Sequence, residues 1–276
     1  MSWSGGPWGA SARCVLAPNA GPMTLDGTNT WVLARPGSSV AVVVDPGPED
    51  AGHLAAVRAA VDSSGARVAL VLLTHSHPDH AESARTFAGL VGAPVRALDP
   101  GFRIGSEGLA GGDVVEVGGL EIRVVATPGH TSDSLSFLLA EDGGLLTGDT
   151  VLGRGSTVIA HPDGRLGDYL ASLQLLASLA GTGEVAAVLP GHGPVLDDPA
   201  GAIEGYLAHR EERLAQVAAA VAGGARTVQA VVEVVYAAVD RALWPAAELS
   251  VRAQLDYLGV DQRPAAREPN GTRWRP

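Results

Sequence analysis

The chain has 276 residues, 46% of them hydrophobic and 18% charged, with a formal net charge of −11. That length and balance fit one large α/β domain, or one domain with a small appendage, built around a real core. The acidic charge argues against a protein that coats nucleic acid non-specifically, and no apolar run approaches a membrane span. It does not exclude a nuclease, because bound Zn²⁺ would supply local positive charge. Residues 201–276 carry nine Arg and nine Asp plus Glu, so the deficit lies upstream of them. The single cysteine, Cys14, excludes a disulfide framework or a thiolate-rich metal site within one chain. The start Met1-Ser2-Trp3-Ser4 lacks the basic flank and apolar block of a secretory signal, and a cytoplasmic address is expected.

Residues 1–12 are rich in Gly, Ser and Pro and read as an extended lead-in. Short β-type runs follow over 13–17, 30–34 and 40–45. The third is continuously apolar, as in a strand buried on both faces, and ends in Asp45-Pro46-Gly47-Pro48. A helix is predicted over 50–62, with Leu54, Val57 and Val61 on one face. The next strand, 68–73, runs into His75-Ser76-His77-Pro78-Asp79-His80, and a helix over 80–90 leads out. Side chains alternate along an extended segment, so His75 and His77 project to the same side. Asp79 and His80 stand at the helix entry, where Asp is a favoured cap. Zn²⁺ takes neutral His nitrogen and Asp oxygen, so the hexapeptide is a metal-ligand cluster that two ions could share.

Three further apolar runs end in similar turns: 120–126 before Pro128-Gly129-His130, 144–146 before Gly148-Asp149, and 185–189 before Pro190-Gly191-His192. Four strands thus each deliver a ligand-type residue at their C-terminal end, where layered α/β sheets place ligand sites. Residues 152–163 are irregular and follow a ligand turn, which makes them a candidate site lining. A helix is predicted over 168–179, with Tyr169, Leu173, Leu176 and Leu179 at helical spacing. After Pro199 the pattern becomes helical over 202–222, 228–239 and 246–258, followed by an Arg-rich end with Arg263, Arg267, Arg273 and Arg275. That end reads as a small helix-turn-helix unit with a hairpin-like finish.

The ligand order His-x-His-x-Asp-His, His, Asp, His resembles the metallo-β-lactamase fold superfamily of hydrolases over residues 13–196. The resemblance implies an α/β class fold, an αββα sandwich over residues 1–199, with a small winged-helix-like helical domain over 200–276. It implies two Zn²⁺ per chain: one held by His75, His77 and His130, the second by Asp79, His80 and His192, with Asp149 bridging. It also implies a hydroxide shared between the ions as nucleophile, which metal binding makes available by lowering water's pKa from about 15.7 to near 7. Asp79 is then the proton acceptor. True dizinc β-lactamases have a Cys where this chain has Asp149, so β-lactam hydrolysis is not expected. A narrower resemblance, to endoribonuclease-type β-lactamase-like proteins, comes from residues 19–30, from 152–157, and from Tyr206, His209 and Arg210 on the first tail helix.

The leading expectation is therefore a cytoplasmic zinc hydrolase that cleaves phosphodiester bonds of single-stranded RNA, with the tail Arg residues available to phosphates. The same chemistry on a thioester or other small acyl substrate is the second reading, since both centres develop oxyanion charge. A non-enzymatic nucleic-acid-binding module with a structural zinc is the third; seven ligands around two ions leave open positions, unlike a closed structural site. Substrate-binding residues are not assigned. His53 and His209 read as surface or packing residues, while His161, Asn29 and Thr157 are candidates for the pocket wall.

Overall fold

The computed structural model describes residues 2–260. A six-stranded sheet runs in sequential order: β1 (Gly6–Trp8), β2 (Ala12–Leu16), β3 (Asn29–Leu33), β4 (Val40–Val44), β5 (Arg67–Leu72) and β6 (Val95–Arg96). It is antiparallel as far as β4 and parallel from β4 to β6. A five-stranded sheet holds β7 (Val114–Val117), β8 (Leu120–Ala126), β9 (Leu135–Leu139), β10 (Gly144–Gly148) and β11 (Ala187–Pro190), in the order β11-β10-β9-β8-β7. Its β10–β11 pair is parallel and its other pairs antiparallel.

The helices are α1 (Ala51–Asp62), α2 (Pro78–Ala81), α3 (Ala84–Val91), α4 (Leu166–Gly181), α5 (Pro199–Ala222), α6 (Val228–Val235) and α7 (Trp244–Tyr257). Alternation along β4 shows why the layers stack as they do. Val42 and Val44 face Phe137, Leu139 and Leu146 of the other sheet, while Ala41 and Val43 pack with Val57 of α1 and Phe87 of α3. The outer face of the second sheet, through Leu138, Leu145 and Val188, is covered by Tyr169, Leu173 and Leu176 of α4. Two mixed sheets thus lie face to face with helices outside, the αββα arrangement.

The long α5 serves two cores. Ile203 and Tyr206 pack with α4, whereas Val217 and Ala220 join Val231 and Val232 of α6 and Val251 and Leu255 of α7. The hairpin-like end expected around Arg263, Arg267, Arg273 and Arg275 lies outside the described residues.

Two helices differ from expectation, for backbone reasons. The single helix predicted over 80–90 is split, because the Ser83 N–H donates to Gly47 O at 3.1 Å, and the Ser83 hydroxyl donates to the same oxygen at 2.9 Å. That N–H is diverted from the helical ladder, so the chain restarts as α3. The helix predicted to reach 239 ends at Val235, whose carbonyl accepts from Arg213 Nη1 at 3.0 Å.

Candidate metal centre

All seven predicted ligands come together at the C-terminal ends of β5, β8, β10 and β11. His75 Nε2 lies 3.2 Å from His77 Nδ1, and His130 Nε2 lies 2.9 Å from that same nitrogen. On the other side His80 Nε2 is 3.2 Å from His192 Nε2, and Asp79 Oδ2 is 3.1 Å from His192 Nε2. Asp149 stands between the two groups: Oδ1 is 3.3 Å from His80 Nε2 and 3.4 Å from His192 Nε2, and Oδ2 is 3.7 Å from His130 Nε2.

Whether these residues suit a metal is decided by where their other atoms point. His130 Nδ1 donates to Val158 O at 2.6 Å, His80 Nδ1 to Asp45 Oδ2 at 2.8 Å, and His192 Nδ1 to Gly27 O at 3.2 Å. The Thr74 hydroxyl gives its proton to Asp45 Oδ2 at 2.6 Å, so at 3.0 Å it accepts from His75 Nδ1. Four rings therefore spend one N–H on an outer acceptor and turn the other nitrogen inward, the arrangement that orients metal-bound imidazoles. Asp149 Oδ1 is buried and lacks a hydrogen-bond partner. A Cβ on Gly191 would stand 2.6 Å from that oxygen and 2.7 Å from His80 Cε1, so only glycine lets the turn pass this close. Converging nitrogen lone pairs and an unpaired carboxylate oxygen fit a divalent cation of the zinc type. Three groups (His75, His77, His130; Asp79, His80, His192; Asp45, His75, His80) have ligand atoms within 4.8 Å of one another.

Asp45 was not among the residues singled out from the sequence. Both of its oxygens are already taken, Oδ1 by the Thr74 N–H at 2.8 Å and Oδ2 by His80 and the Thr74 hydroxyl. It is therefore an outer acceptor that orients His80 directly and His75 through Thr74. Its backbone has a φ of 51°, a left-handed conformation that Asp tolerates better than most residues. Its signal was an Asp-Pro-Gly turn closing an apolar strand, the same grammar as the other ligand turns. Asp45→Asn keeps the shape and removes the charge, and metal affinity should fall about 10- to 100-fold in competition with a chelating dye. Unchanged affinity would mean that Asp45 only supports the fold.

The charges in the centre are set by competition between burial and neighbours. Burial drives the His75 and His130 imidazoles towards the neutral form, with neighbouring His80 adding to the effect; His130 falls to about 4. Burial acts in the same sense on His80 and His192, but the carboxylates facing them more than offset it. His80 is raised well above the ordinary range by Asp79, Asp149 and Asp45, and His192 to about 9 by Asp149 and Asp79. Burial would raise the two acids, yet His80 and His192 hold Asp79 down to about 2 and Asp149 well below the carboxylate range.

A metal must therefore displace protons from His80 and His192 but not from His75 or His130. Groups with raised pKa stay protonated, and compete, until the pH passes the raised value. Apparent affinity for the ion on the His80–His192 side should keep climbing from pH 7 to about 9, whereas ordinary imidazoles would level off above about 6.5. Calorimetric titrations across that range test this, and a plateau by pH 7 would contradict it.

A cavity of about 340 Å³ opens beside His130 and Asp149, between the 152–158 segment, α5 and α7. Thr157 lines it, as the sequence proposed, and its hydroxyl lies 3.2 Å from His130 Nδ1. Asn29 instead ties the His192 turn, donating to Pro190 O and Gly193 O at 2.9 Å each. His161 is not among the lining residues, whereas His209, taken for a surface or packing residue, is. His53 is buried against Thr30, 2.8 Å away, as a packing residue would be.

Two mixed sheets flanked by helices, with a His/Asp cluster at the strand ends, define the metallo-β-lactamase type of α/β hydrolase. The profile of the Metallo-beta-lactamase superfamily matches residues 23–192, and the chain belongs to that family. The profile of the Beta-lactamase associated winged helix domain matches residues 227–274. A Beta-lactamase-like protein 2 homolog of Drosophila melanogaster is 32% identical over 262 residues, covering 88% of this chain and 86% of that one. A protein named thioesterase pkgB, from Emericella nidulans, is 31% identical over 221 residues, covering 76% of this chain and 60% of that one. The chain spans 62% of the length of the Aspergillus niger lactamase-like proteins it matches. The crystal structure of a metallo-beta-lactamase family protein from Thermus thermophilus superposes with a TM-score of 0.75 at 24% identity, covering 90% of this chain and 93% of that one. Among the described residues no helix is long and apolar enough to cross a membrane.

Proposed function

We propose that this hydrolase is a zinc enzyme acting on an acyl ester, a thioester in particular. His75, His77 and His130 would hold one ion and Asp79, His80 and His192 the other, with Asp149 within reach of both. The observation that carries the acyl reading is the cavity beside His130 and Asp149, whose wall includes Met23, Leu25, Leu152, Val239 and Leu243. A recess of this size with an apolar wall suits the carbon chain of a small substrate better than the charged backbone of a polynucleotide. The thioesterase name of the Emericella nidulans relative points the same way.

Bound in this centre, a zinc pair supplies Lewis acidity and lowers the pKa of water from about 15.7 to about 7. The chain's own residues do the rest. His75, His80, His130 and His192 are locked by their outer hydrogen bonds, so no reorganisation is needed during reaction. Asp79, with a side chain 28% exposed, is a solvent-reachable carboxylate. It takes up the proton released by the attacking water and passes it to the departing thiolate. The enclosing α5 and α7 keep bulk water from the acyl group.

RNA phosphodiester cleavage is the second reading, supported by the winged-helix match over residues 227–274. Carbonyl and phosphoryl centres both build oxyanion charge, so the same His/Asp set serves either. The two are separated by turnover of an acyl thioester, bis(p-nitrophenyl) phosphate and a cephalosporin, with metal content measured on the same preparation. Thioester turnover above the other two, lost on chelation and restored by zinc, is expected. Dominant phosphodiester turnover would favour RNA. In that case replacing the tail Arg residues with Gln should flatten the salt dependence of RNA binding.

A further inference from the structure

The cavity has a second chemical character besides its apolar wall. Two guanidinium groups from α5, Arg210 and Arg213, line it, and neither forms an ion pair with a carboxylate among the described residues. Arg210 is 3% exposed; its Nη2 donates to Thr157 O at 2.5 Å, it lies 5.0 Å over the Tyr169 ring, and its Nε is buried without a partner. Arg213 stacks 4.9 Å over Tyr236 and spends Nη1 on Gln216 Oε1 and Val235 O, both neutral acceptors. The third lining cation, Arg154, is already neutralised by Asp26.

A buried charge without a counter-charge is costly, and Arg210 is one; the half-buried Arg213, one turn further along α5, adds a second cation that no carboxylate offsets. Aromatic rings and carbonyls hold both guanidinium planes in place while leaving other donors free. The field they create reaches their neighbour His209, whose imidazole is held below its ordinary pKa by burial and then by Arg210 and Arg213.

We propose that this cavity recognises an amphiphilic anion: an oxyanion seated on Arg210 and Arg213, joined to a short carbon chain that lies along the apolar wall towards His130 and Asp149. The inference rests on the acyl-ester reading and narrows its substrate to one that carries a negative charge. That charge belongs either to a carboxylate on the acyl group or to a phosphate on the thiol carrier.

The test is a binding measurement that needs no turnover, so it stands or falls separately from the catalytic reading. Octane-1-sulfonate, a poor metal ligand, and neutral 1-octanol are titrated calorimetrically into the isolated protein, Arg213→Gln and Arg213→Lys. The sulfonate should bind about tenfold tighter than the alcohol, as charge-assisted hydrogen bonds imply. The difference should vanish in Arg213→Gln and largely return in Arg213→Lys. Because Arg213 also braces the end of α6, Arg210→Lys serves as a second variant and should weaken the sulfonate selectively. Displacement of the sulfonate by hexanoate, or by pantetheine 4′-phosphate, supports the assignment and identifies the source of the charge. Equal binding of sulfonate and alcohol, selectivity unchanged in Arg213→Gln, or displacement by neither compound overturns it. Selective anion binding without thioester turnover would uphold the anion site and sink the thioester reading alone.

Discussion

Asp149→Asn is expected to cut hydrolysis by roughly 10³-fold and to lower the metal content by about one ion per chain or more. The substitution is nearly isosteric, so packing around β10 should survive and the loss should be chemical. Asp149 lies within reach of both ligand groups, 3.3 to 3.4 Å from His80 and His192 and 3.7 Å from His130. Its Oδ1 is buried between His80 and His192 and makes no hydrogen bond, so once those rings give up their protons a cation can take it as a ligand. Asn removes the negative charge that holds two ions close together, and it can turn an N–H₂ towards imidazole nitrogens that should be facing metal. Charge stabilisation by bound metal is worth several kcal/mol, so a loss of about 4 kcal/mol, or roughly 10³-fold in turnover, is the expected scale. Metal analysis and turnover on one preparation decide the matter. A variant with full metal content and activity within tenfold of wild type would show that Asp149 is not shared between ions.

The same residue shows what was legible in the sequence. Asp149, His130, His192 and the hexapeptide could be read because each stands at the end of an apolar run, and strand ends of one sheet edge meet in space. The strand β4 was readable for the same local reason, its five residues being apolar on both faces. Asp45 followed the same grammar, closing β4 before Pro46-Gly47, but an outer acceptor and a metal ligand look alike in one dimension. Only its hydrogen bonds to Thr74 and His80 separate them. β9, Leu-Ser-Phe-Leu-Leu, has all five residues buried and no alternation, so nothing in its pattern announced a strand. The cavity was beyond reach altogether. Its wall combines residues 22–25, 152–158, 209–213 and 236–250, segments whose meeting depends on how α5 packs against α4 and α7. Periodicity placed Tyr169 in the core correctly, but could not reveal that Arg210 lies over its ring.

A single methyl group at position 191 should do nearly as much damage as losing a ligand. Gly191 has no positive φ, so Gly191→Ala carries no backbone strain, and its whole effect is steric. The added Cβ would meet Asp149 Oδ1 at 2.6 Å, His80 Cε1 at 2.7 Å and Gly148 C at 3.0 Å. Two of these belong to side chains of the centre and the third to the β10 turn, whose amide network includes Gly191 N donating to Gly148 O at 2.8 Å. His80 is pinned through Nδ1 to Asp45 and cannot swing away without breaking that bond. Asp149 must therefore move, by several tenths of an ångström or more, out of its place between the two groups. Displacements of about 1 Å in a catalytic constellation cost about 10²-fold, and turnover and affinity for one ion should fall by that order. The neighbouring turn offers a control of a different kind. A Cβ on Gly129 would meet the Tyr169 backbone at 2.3 Å, and its φ of 136° is a glycine conformation, so Gly129→Ala should unfold the α4 contact as well as disturb His130. Thermal melting of metal-free samples separates the two. Gly191→Ala should melt close to wild type yet hold metal poorly, whereas Gly129→Ala should melt clearly lower. A Gly191→Ala protein that keeps both its metal and its activity would mean that the strand-end turns yield more easily than the hydrogen bonds around His80 imply.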